Sequence, residues 1–216
     1  EEIRARWLTP KSLPECEHAF EWLRAQNQLS EDLIEQRARL ALQDNNFRFA
    51  RQMAAQLSPE RAGPIVQWAG LLEHPQRQIH HLIANPNTKV EDEALLAGWT
   101  RLTRIDRDAA KERYAKLVRN RKLSGEQASP YALALALALS WDRRPDTLAY
   151  FARVQPADFD DYALEWQTRA AIWAEDWELA SKSIAAMSDT SRQLARWRYW
   201  AARAAEEKGD KDLASQ

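Results

Sequence analysis

One set of residue types recurs in this chain at a fixed spacing of 34 positions. The two clearest copies are Trp166, Arg169, Ala170, Ala171, Asp176, Leu179 and Ala180, then Trp200, Arg203, Ala204, Ala205, Asp210, Leu213 and Ala214. Earlier copies are Arg39, Ala41, Leu42, Asn46, Phe47 and Ala50, with weaker echoes that place Ala110 and Ala149 at the position of Ala180. A repeated unit buries its apolar face by stacking on its neighbours. The spacing therefore predicts a repeat array, and the unevenness of the copies predicts an irregular, curved one.

The repeating unit is predicted to be a pair of helices. A period of 34 residues is typical of tetratricopeptide hairpins, in which small residues let two helices approach closely. Ala and Leu number 37 and 25, against 8 Ile and 4 Val, and this bias favours helices over strands. The predicted fold class is all-α, an irregular α-solenoid or superhelix of helical hairpins that forms one domain over residues 1–216.

Helical periodicity and helix-end signals predict about thirteen short helices. The first opens at a capping-box pattern formed by Ser12 and Glu15, with Pro14 in its first turn, and ends near Asn27. The others are predicted at 30–43, 46–57, 64–73, 75–84, 90–105, 107–121, 128–141, 145–153, 158–174, 176–187 and 190–208, with a last one beginning near 210. Residues 132–139 alternate Ala and Leu with the period of a strand. We predict a helix there, because Ala is depleted in strands and a helix buried on all sides is apolar throughout.

The charge balance and the hydropathy of the chain exclude two classes of partner. Lys and Arg total 31 against 32 Asp and Glu, so the chain lacks the basic excess of a nucleic-acid-binding protein. No segment reaches the ~18 apolar residues that cross a bilayer. The first residues do not resemble a signal peptide, and the chain is expected to begin inside a longer protein. The single cysteine, Cys16, is expected to be a small buried apolar residue.

The sequence predicts no catalytic residue, no metal and no cofactor. Its acidic pairs, such as Asp160 with Asp161, are expected at solvated helix ends. His74, His80, His81 and Glu73 do not suit a metal site, because the adjacent His80 and His81 point about 100° apart on a helix. Phosphate-binding, acyl-transfer and zinc-protease motifs do not occur.

Two surface features leave their interpretation open. The first is a basic segment. It either binds the carboxylates of a ligand or partner, or forms a solvated helix face with local ion pairs. It contains Arg101, Arg104, Arg107, Lys111, Arg113, Lys116, Arg119, Arg121 and Lys122. The second is the high content of 10 Trp. Trp197 and Trp200 fall on one apolar stripe and are predicted to pack between helices, whereas Trp173 and Trp177 flank a turn and are predicted to be partly exposed.

Three short stretches of the chain combine Trp, Cys, Arg and Asn in a specific way. The first carries Trp7 and Leu8, then Pro14 and Cys16, then Trp22. The second covers residues 37–42 with Asn45 and Asn46, and the third has the letters RWRYW at residues 196–200, leading to Gly209. In their order and separation these stretches resemble the superhelical region of soluble lytic murein transglycosylases. The middle of the chain, about residues 60–160, is only generically helical.

This resemblance implies a periplasmic enzyme of Gram-negative bacteria in which a helical ring holds a lysozyme-like catalytic domain. The family cleaves the bond between N-acetylmuramic acid and N-acetylglucosamine in peptidoglycan, with formation of a 1,6-anhydro ring. Its catalytic glutamate lies in a Glu-Ser pair followed by Gly-Leu-Met-Gln, and neither occurs here. The catalytic domain is therefore expected beyond residue 216, and the chain alone is expected to be inactive. In some relatives the cysteine that matches Cys16 pairs with one in the preceding helix.

The resemblance also suggests where the chain meets glycan. Stacked hairpins expose the first helix of each pair on the concave side, which predicts weak glycan contacts there by Arg169, Trp173, Arg196, Tyr199 and Arg203. For Arg169 and Arg203, a structural ion pair or a helix cap is the competing interpretation. The other expected partners are the chain's own C-terminal catalytic domain and cell-wall synthesis proteins. The alternative function is a free-standing tetratricopeptide-like scaffold that holds a peptide of a partner.

Overall fold

The computed structural model describes residues 2–209, and within this range every regular element is helical. The chain divides into two compact units, Glu1–Leu102 and Thr103–Gln216, and the division falls inside helix α7. The helices of the first unit are α1 Glu2–Trp7, α2 Glu17–Ala25, α3 Glu31–Gln43, α4 Phe47–Ala54, α5 Pro59–Glu73, α6 Pro75–Ala84 and α7 Asp92–Ile105. The second unit contains α8 Arg107–Asn120, α9 Gly125–Trp141, α10 Thr147–Phe151, α11 Asp161–Trp173, α12 Trp177–Ala186, α13 Asp189–Arg192 and α14 Ala195–Lys208.

Helices that are close in sequence pack together in both units. In the first unit α4 packs against both α3 and α5, and in the second α12 packs against both α11 and α14. The predicted all-α class is confirmed. The stretch 132–139 lies inside α9, and its residues Ala132, Leu135, Ala136, Ala138 and Leu139 are buried.

The same kind of turn ends several of these helices. A non-glycine residue adopts the left-handed conformation two positions after the helix end at Asn27, Asn45, Lys122, Arg143 and Glu175. The next residue then closes the turn by donating its backbone N–H back into the helix, as Asp176 does to the carbonyl of Ala171 at 2.9 Å. This six-residue closure satisfies a carbonyl that the helix end leaves free. Each such turn starts a new helix after only a few residues.

The helix starts differ from the sequence-based prediction in several places. The capping box predicted at Ser12 is wrong, because a 3-10 turn at Pro14–Cys16 precedes α2 and no side chain caps it. A capping box occurs instead at the start of α9, between Ser124 and Gln127. Helix α5 begins at Pro59 rather than at 64, since Ser58 precedes a proline that is already suited to the first helical position.

Three further differences concern the two ends of the chain. Helix α1 was not predicted, and the helix predicted at 190–208 is broken between α13 and α14. The break lies at residues 193–194, where neither Gly nor Pro signals it. Cys16 is half-buried rather than buried. The helix predicted near 210 lies outside the described residues, as do Asp210, Leu213 and Ala214 of the 34-residue repeat.

A buried arginine holds the first unit together near its N-terminus. The side chain of Arg37 is 2% exposed, and its guanidinium lies over the rings of Trp7, Phe20 and Phe49 at 4.2, 4.9 and 4.9 Å. It donates hydrogen bonds to the carbonyls of Thr9 at 3.3 Å and Lys11 at 2.9 Å. Burial lowers the pKa of this guanidinium, and the ring faces and carbonyl oxygens are what stabilise its charge.

Arg37 also explains why two of the family-like stretches occur together. The first stretch supplies Trp7 and the carbonyls on residues 9 and 11, and the second supplies Arg37 itself. Asn46, also in the second stretch, donates to the carbonyl of Pro10 at 3.2 Å. The residues that carry the resemblance in this part of the chain are therefore structural contacts.

We predict that Arg37→Met lowers the free energy of unfolding of the first unit by about 2–3 kcal/mol, because the carbonyls of Thr9 and Lys11 lose their donor and the aromatic rings lose the guanidinium. Urea unfolding followed by hydrogen exchange of amides in α2 and α3 measures the loss. Arg48→Met on the exposed face of α4 is the matched control and should change stability by less than about 0.5 kcal/mol. Equal stability of the two variants would contradict this role of Arg37.

Candidate functional site

The five predicted glycan-contact residues lie on two helices of the second unit. Arg169 and Trp173 are one turn apart on α11, and Arg196, Tyr199 and Arg203 follow one another along one face of α14. The two helices both pack against α12. The five predicted residues therefore lie on two helices of one unit, but they differ in their contacts.

Glu165 on α11 connects the two helices and was not among the predicted residues. One of its carboxylate oxygens accepts hydrogen bonds from Arg196 at 2.7 Å and from the indole N–H of Trp197 at 3.1 Å. The other oxygen accepts from Arg169 at 3.3 Å. The structure thus brings Arg169 and Arg196 together through a carboxylate whose side chain is only 17% exposed.

The electrostatics of Glu165 follow from these contacts. Burial raises the pKa of this carboxyl, but the hydrogen bonds from Arg196, Trp197 and Arg169 outweigh it, so that the pKa lies below its ordinary value. Glu165 is therefore an anion at neutral pH. A permanently charged acceptor that is occupied by three donors suits a structural role better than proton transfer.

The guanidinium of Arg169 lies between two tryptophan rings. Its central carbon is 4.9 Å from the ring centroid of Trp166 and 5.0 Å from that of Trp197. Trp197 is buried in a small core with Leu164, Ile184 and Met187, against which Trp200 also packs. The prediction that the Trp197–Trp200 stripe packs between helices is confirmed.

Tyr199, Arg203 and Trp173 do not join the Glu165 network. Tyr199 is 62% exposed and contacts the ring of Trp200 edge-on at 5.2 Å. Arg203 pairs along its own helix with Glu206 at 3.0 Å and with Glu207. The ring of Trp173 is 41% exposed and lies 4.9 Å from the guanidinium of Arg143.

The sequence contained a signal for one of the two residues that the prediction missed, Glu165. Glu165 and Arg169 stand four positions apart on a helix, in the orientation that forms an ion pair. Arg143 had no such signal, because it reaches Trp173 from another helix end. The competing interpretation of Arg169 and Arg203, a structural ion pair, matches the contacts of both.

Ion pairs with the turn after α9 occupy part of the basic segment. Arg107 pairs with Asp142 at 2.9 Å, Lys111 pairs with Asp146 at 2.6 Å, and Asp108 accepts from Arg144 at 2.7 Å. The interpretation as local ion pairs therefore fits this part of the segment.

Metal and membrane sites are not found in the part of the chain that the structure describes. Between residues 2 and 209, no three His, Cys, Asp or Glu side chains are grouped so that they could hold a metal ion. No helix in that range has the length and apolar character that a membrane span requires.

Comparison with solved structures identifies the fold. The chain is similar to the lytic transglycosylase Slt from Pseudomonas aeruginosa, solved as an inactive mutant, with a TM-score of 0.75, 22% identity and coverage of 99% of this chain and 35% of that one. It is also similar to the 70-kDa soluble lytic transglycosylase Slt70 from Escherichia coli and to a 70-kDa soluble lytic transglycosylase in complex with bulgecin A. Both matches have a TM-score of 0.74, 20% identity and coverage of 98% of this chain and 35% of the other.

These neighbours are soluble lytic transglycosylases, which is the family that the sequence motifs resemble. At this level of identity the likeness establishes the fold, and the chain spans about a third of the length of those proteins. No protein-family model matches the sequence, and no curated protein sequence does.

We predict that the second unit loses stability in acid partly through Glu165. Because its folded-state pKa is depressed, the stabilisation is present above the ordinary carboxyl pKa of about 4.5 and is lost as the pH falls through the lower folded value. Glu165→Gln should therefore be less stable than the unmodified protein at pH 7, with a difference that shrinks towards pH 3. Urea unfolding at both pH values tests this, with Glu112→Gln, at an exposed position of the same unit, as control. A difference that stays constant or grows in acid would contradict it.

Proposed function

We propose that this chain is the helical scaffold of a periplasmic peptidoglycan lytic transglycosylase. In this proposal residues 1–216 form one superhelical domain that supports a catalytic domain outside this sequence. That catalytic domain cleaves the bond between N-acetylmuramic acid and N-acetylglucosamine and forms the 1,6-anhydro ring. The observation that carries the proposal is the fold, shared over 99% of the chain with a lytic transglycosylase. The three motif stretches support it independently.

The side chains of the described residues suit a supporting role. Several of their charged groups hold helices or segments to one another, as Arg37, Glu165 and the Arg107–Asp142 pair illustrate. A scaffold needs such contacts because each short helix is only marginally stable alone. A catalytic acid, by contrast, needs a pKa tuned towards neutrality in an accessible cleft. The partly buried carboxyl of Glu165 has its pKa lowered instead.

A second part of the proposal is that the scaffold touches the glycan strand weakly. Of the five residues predicted for this contact, Tyr199 and Trp173 present the most exposed aromatic surface. The guanidinium groups of Arg169, Arg196 and Arg203 supply hydrogen-bond donors, although each of them already has a carboxylate partner. Contacts of this kind are worth about 0.5–1 kcal/mol each, so we expect millimolar affinity.

We predict that the chain alone releases no 1,6-anhydro muropeptides from purified sacculi. Mass spectrometry of the soluble fraction measures release, and the full-length gene product serves as the positive control. Release by the 216-residue chain above a buffer control, retained after repurification, would contradict its role as a scaffold. A gene that ends shortly after residue 216 would instead favour the free-standing peptide-binding scaffold.

We predict that neutral chitooligosaccharides shift the NMR resonances of Tyr199 and the indole of Trp173 at about 1–5 mM. Tyr199→Ala should remove its share of the binding, whereas Trp22→Ala, which alters an exposed tryptophan of the other unit, should leave binding unchanged. The absence of shifts at these residues would remove glycan contact from the proposal and leave support as the only role.

A further inference from the structure

The two units contain one structural element twice, at a spacing of 130 positions. Helices α3 and α11 both have 13 residues, and they begin 130 positions apart, at Glu31 and Asp161. The left-handed residues Asn45 and Glu175 have the same spacing, as do the helix caps Asn46 and Asp176, whose side chains accept a backbone N–H in the same way. The second and first copies thus agree in local geometry as well as in residue position.

Side-chain contacts repeat at the same spacing. The carboxylate of Glu31 accepts from the backbone N–H of Ser58 at 2.6 Å, and that of Asp161 accepts from the N–H of Ser188 at 2.8 Å. The pair Glu35 and Arg39 in the first copy corresponds to Glu165 and Arg169 in the second, with nitrogen–oxygen distances of 3.0 and 3.3 Å. The first copy can therefore serve as a template for the second.

In the first copy, two side chains on one face of this helix, Arg39 and Gln43, contact the segment that starts α7. Arg39 holds both oxygens of Glu91, at 2.8 and 2.7 Å. One turn further on, Gln43 donates to Glu93 at 3.2 Å. This fork-shaped contact holds the pKa of Glu91 below its ordinary value. The face formed by positions 39 and 43 is therefore a docking surface for an acidic helix start.

In the second copy, the corresponding face carries Arg169 and Trp173. Among the residues that the structure describes, the one carboxylate that bonds to Arg169 is Glu165 of its own helix, through a single nitrogen. The bidentate partner seen at Arg39 has no counterpart there. Trp173 leaves 41% of its surface exposed, with the Arg143 guanidinium 4.9 Å from its ring centroid. Its counterpart Gln43 is also exposed and donates to Glu93.

We propose that Arg169 and Trp173 form a docking surface for the acidic start of a helix in a partner polypeptide. A carboxylate of that helix binds the outer edge of the Arg169 guanidinium, as Glu91 binds Arg39. The apolar side chain or backbone next to it packs on the ring of Trp173. Planar two-point pairing is specific to arginine, and the flanking rings of Trp166 and Trp197 fix the guanidinium in place.

We infer the chemistry of the occupant from the Arg39–Glu91 contact in the first copy, not from the fold family. The template occupant has the letters KVEDE at residues 89–93, with acidic residues in the first turn of α7. Acidic residues are favoured at a helix start by the helix dipole, so such a partner needs no unusual sequence. The inference does not depend on glycan contact, because a carboxylate and a neutral sugar are different ligands.

A synthetic peptide of residues 88–100 provides the probe, added to the complete isotope-labelled chain. We expect it to shift the Arg169 side-chain N–H and the Trp173 indole at low-millimolar concentration. The same peptide with Glu91→Gln and Glu93→Gln should bind at least about fivefold more weakly, because a neutral amide cannot accept both guanidinium donors as a charged pair. In the protein, Arg169→Gln should weaken binding to a similar degree, whereas Arg198→Gln, on the exposed surface of α14, should not.

Three results would overturn the proposal. They are equal affinity of the acidic and amide peptides, unchanged binding by Arg169→Gln, and absence of shifts at Arg169 and Trp173 up to about 5 mM peptide. Should Arg169→Gln fail to fold by circular dichroism, Trp173→Ala takes its place, since Trp173 is exposed, and unchanged peptide affinity in that variant would also overturn it. A preference of both resonances for neutral chitooligosaccharide over the acidic peptide would assign the surface to glycan and reject the polypeptide partner.

Discussion

Carboxylates at helix starts are the contacts on which this arrangement of short helices depends. Glu31 in the first turn of α3 holds the backbone N–H that precedes α5, and Asp161 does the same for α13. Hydrogen bonds from Ser188 and Ser191 lower the pKa of the Asp161 carboxyl. Each contact satisfies a backbone donor that the new helix leaves free, and it fixes where the next helix begins relative to the previous one. A chain of short helices needs such links because packing alone does not select one register.

Arginine side chains also link separate helices, because they stack on aromatic rings and donate hydrogen bonds at the same time. Arg37 stabilises the N-terminal segment of the first unit from inside the core, between three aromatic rings. Arg169 and Arg196 meet on Glu165 in the second unit, again against tryptophan. The planar guanidinium stacks on a ring with its face while its edge donates hydrogen bonds. This accounts for the joint occurrence of Arg and Trp in the family-like stretches of the chain.

The sequence predicted the helical class and most helix positions because composition and periodicity are local properties. It failed where structure depends on distant residues. Glu165 and Arg169 were readable as neighbours on one helix, but Arg196 reaches Glu165 across 31 positions. Similarly, Ser12 offered a local capping signal, yet the segment around it is held by Arg37 and Asn46 of a later hairpin. The break before α14 has no helix-breaking residue, so the sequence carried no local signal for it.

The most direct test of this account is a double-mutant cycle between Arg39 and Glu91, the pair that links α3 to the start of α7. The single variants Arg39→Gln and Glu91→Gln and their combination are compared by hydrogen exchange of core amides in the first unit. The account predicts a coupling free energy of about 1 kcal/mol, because the pair is bidentate and partly shielded from water. A coupling below about 0.3 kcal/mol, at the low end for an exposed ion pair, would contradict the claim that carboxylates at helix starts hold separate helices together.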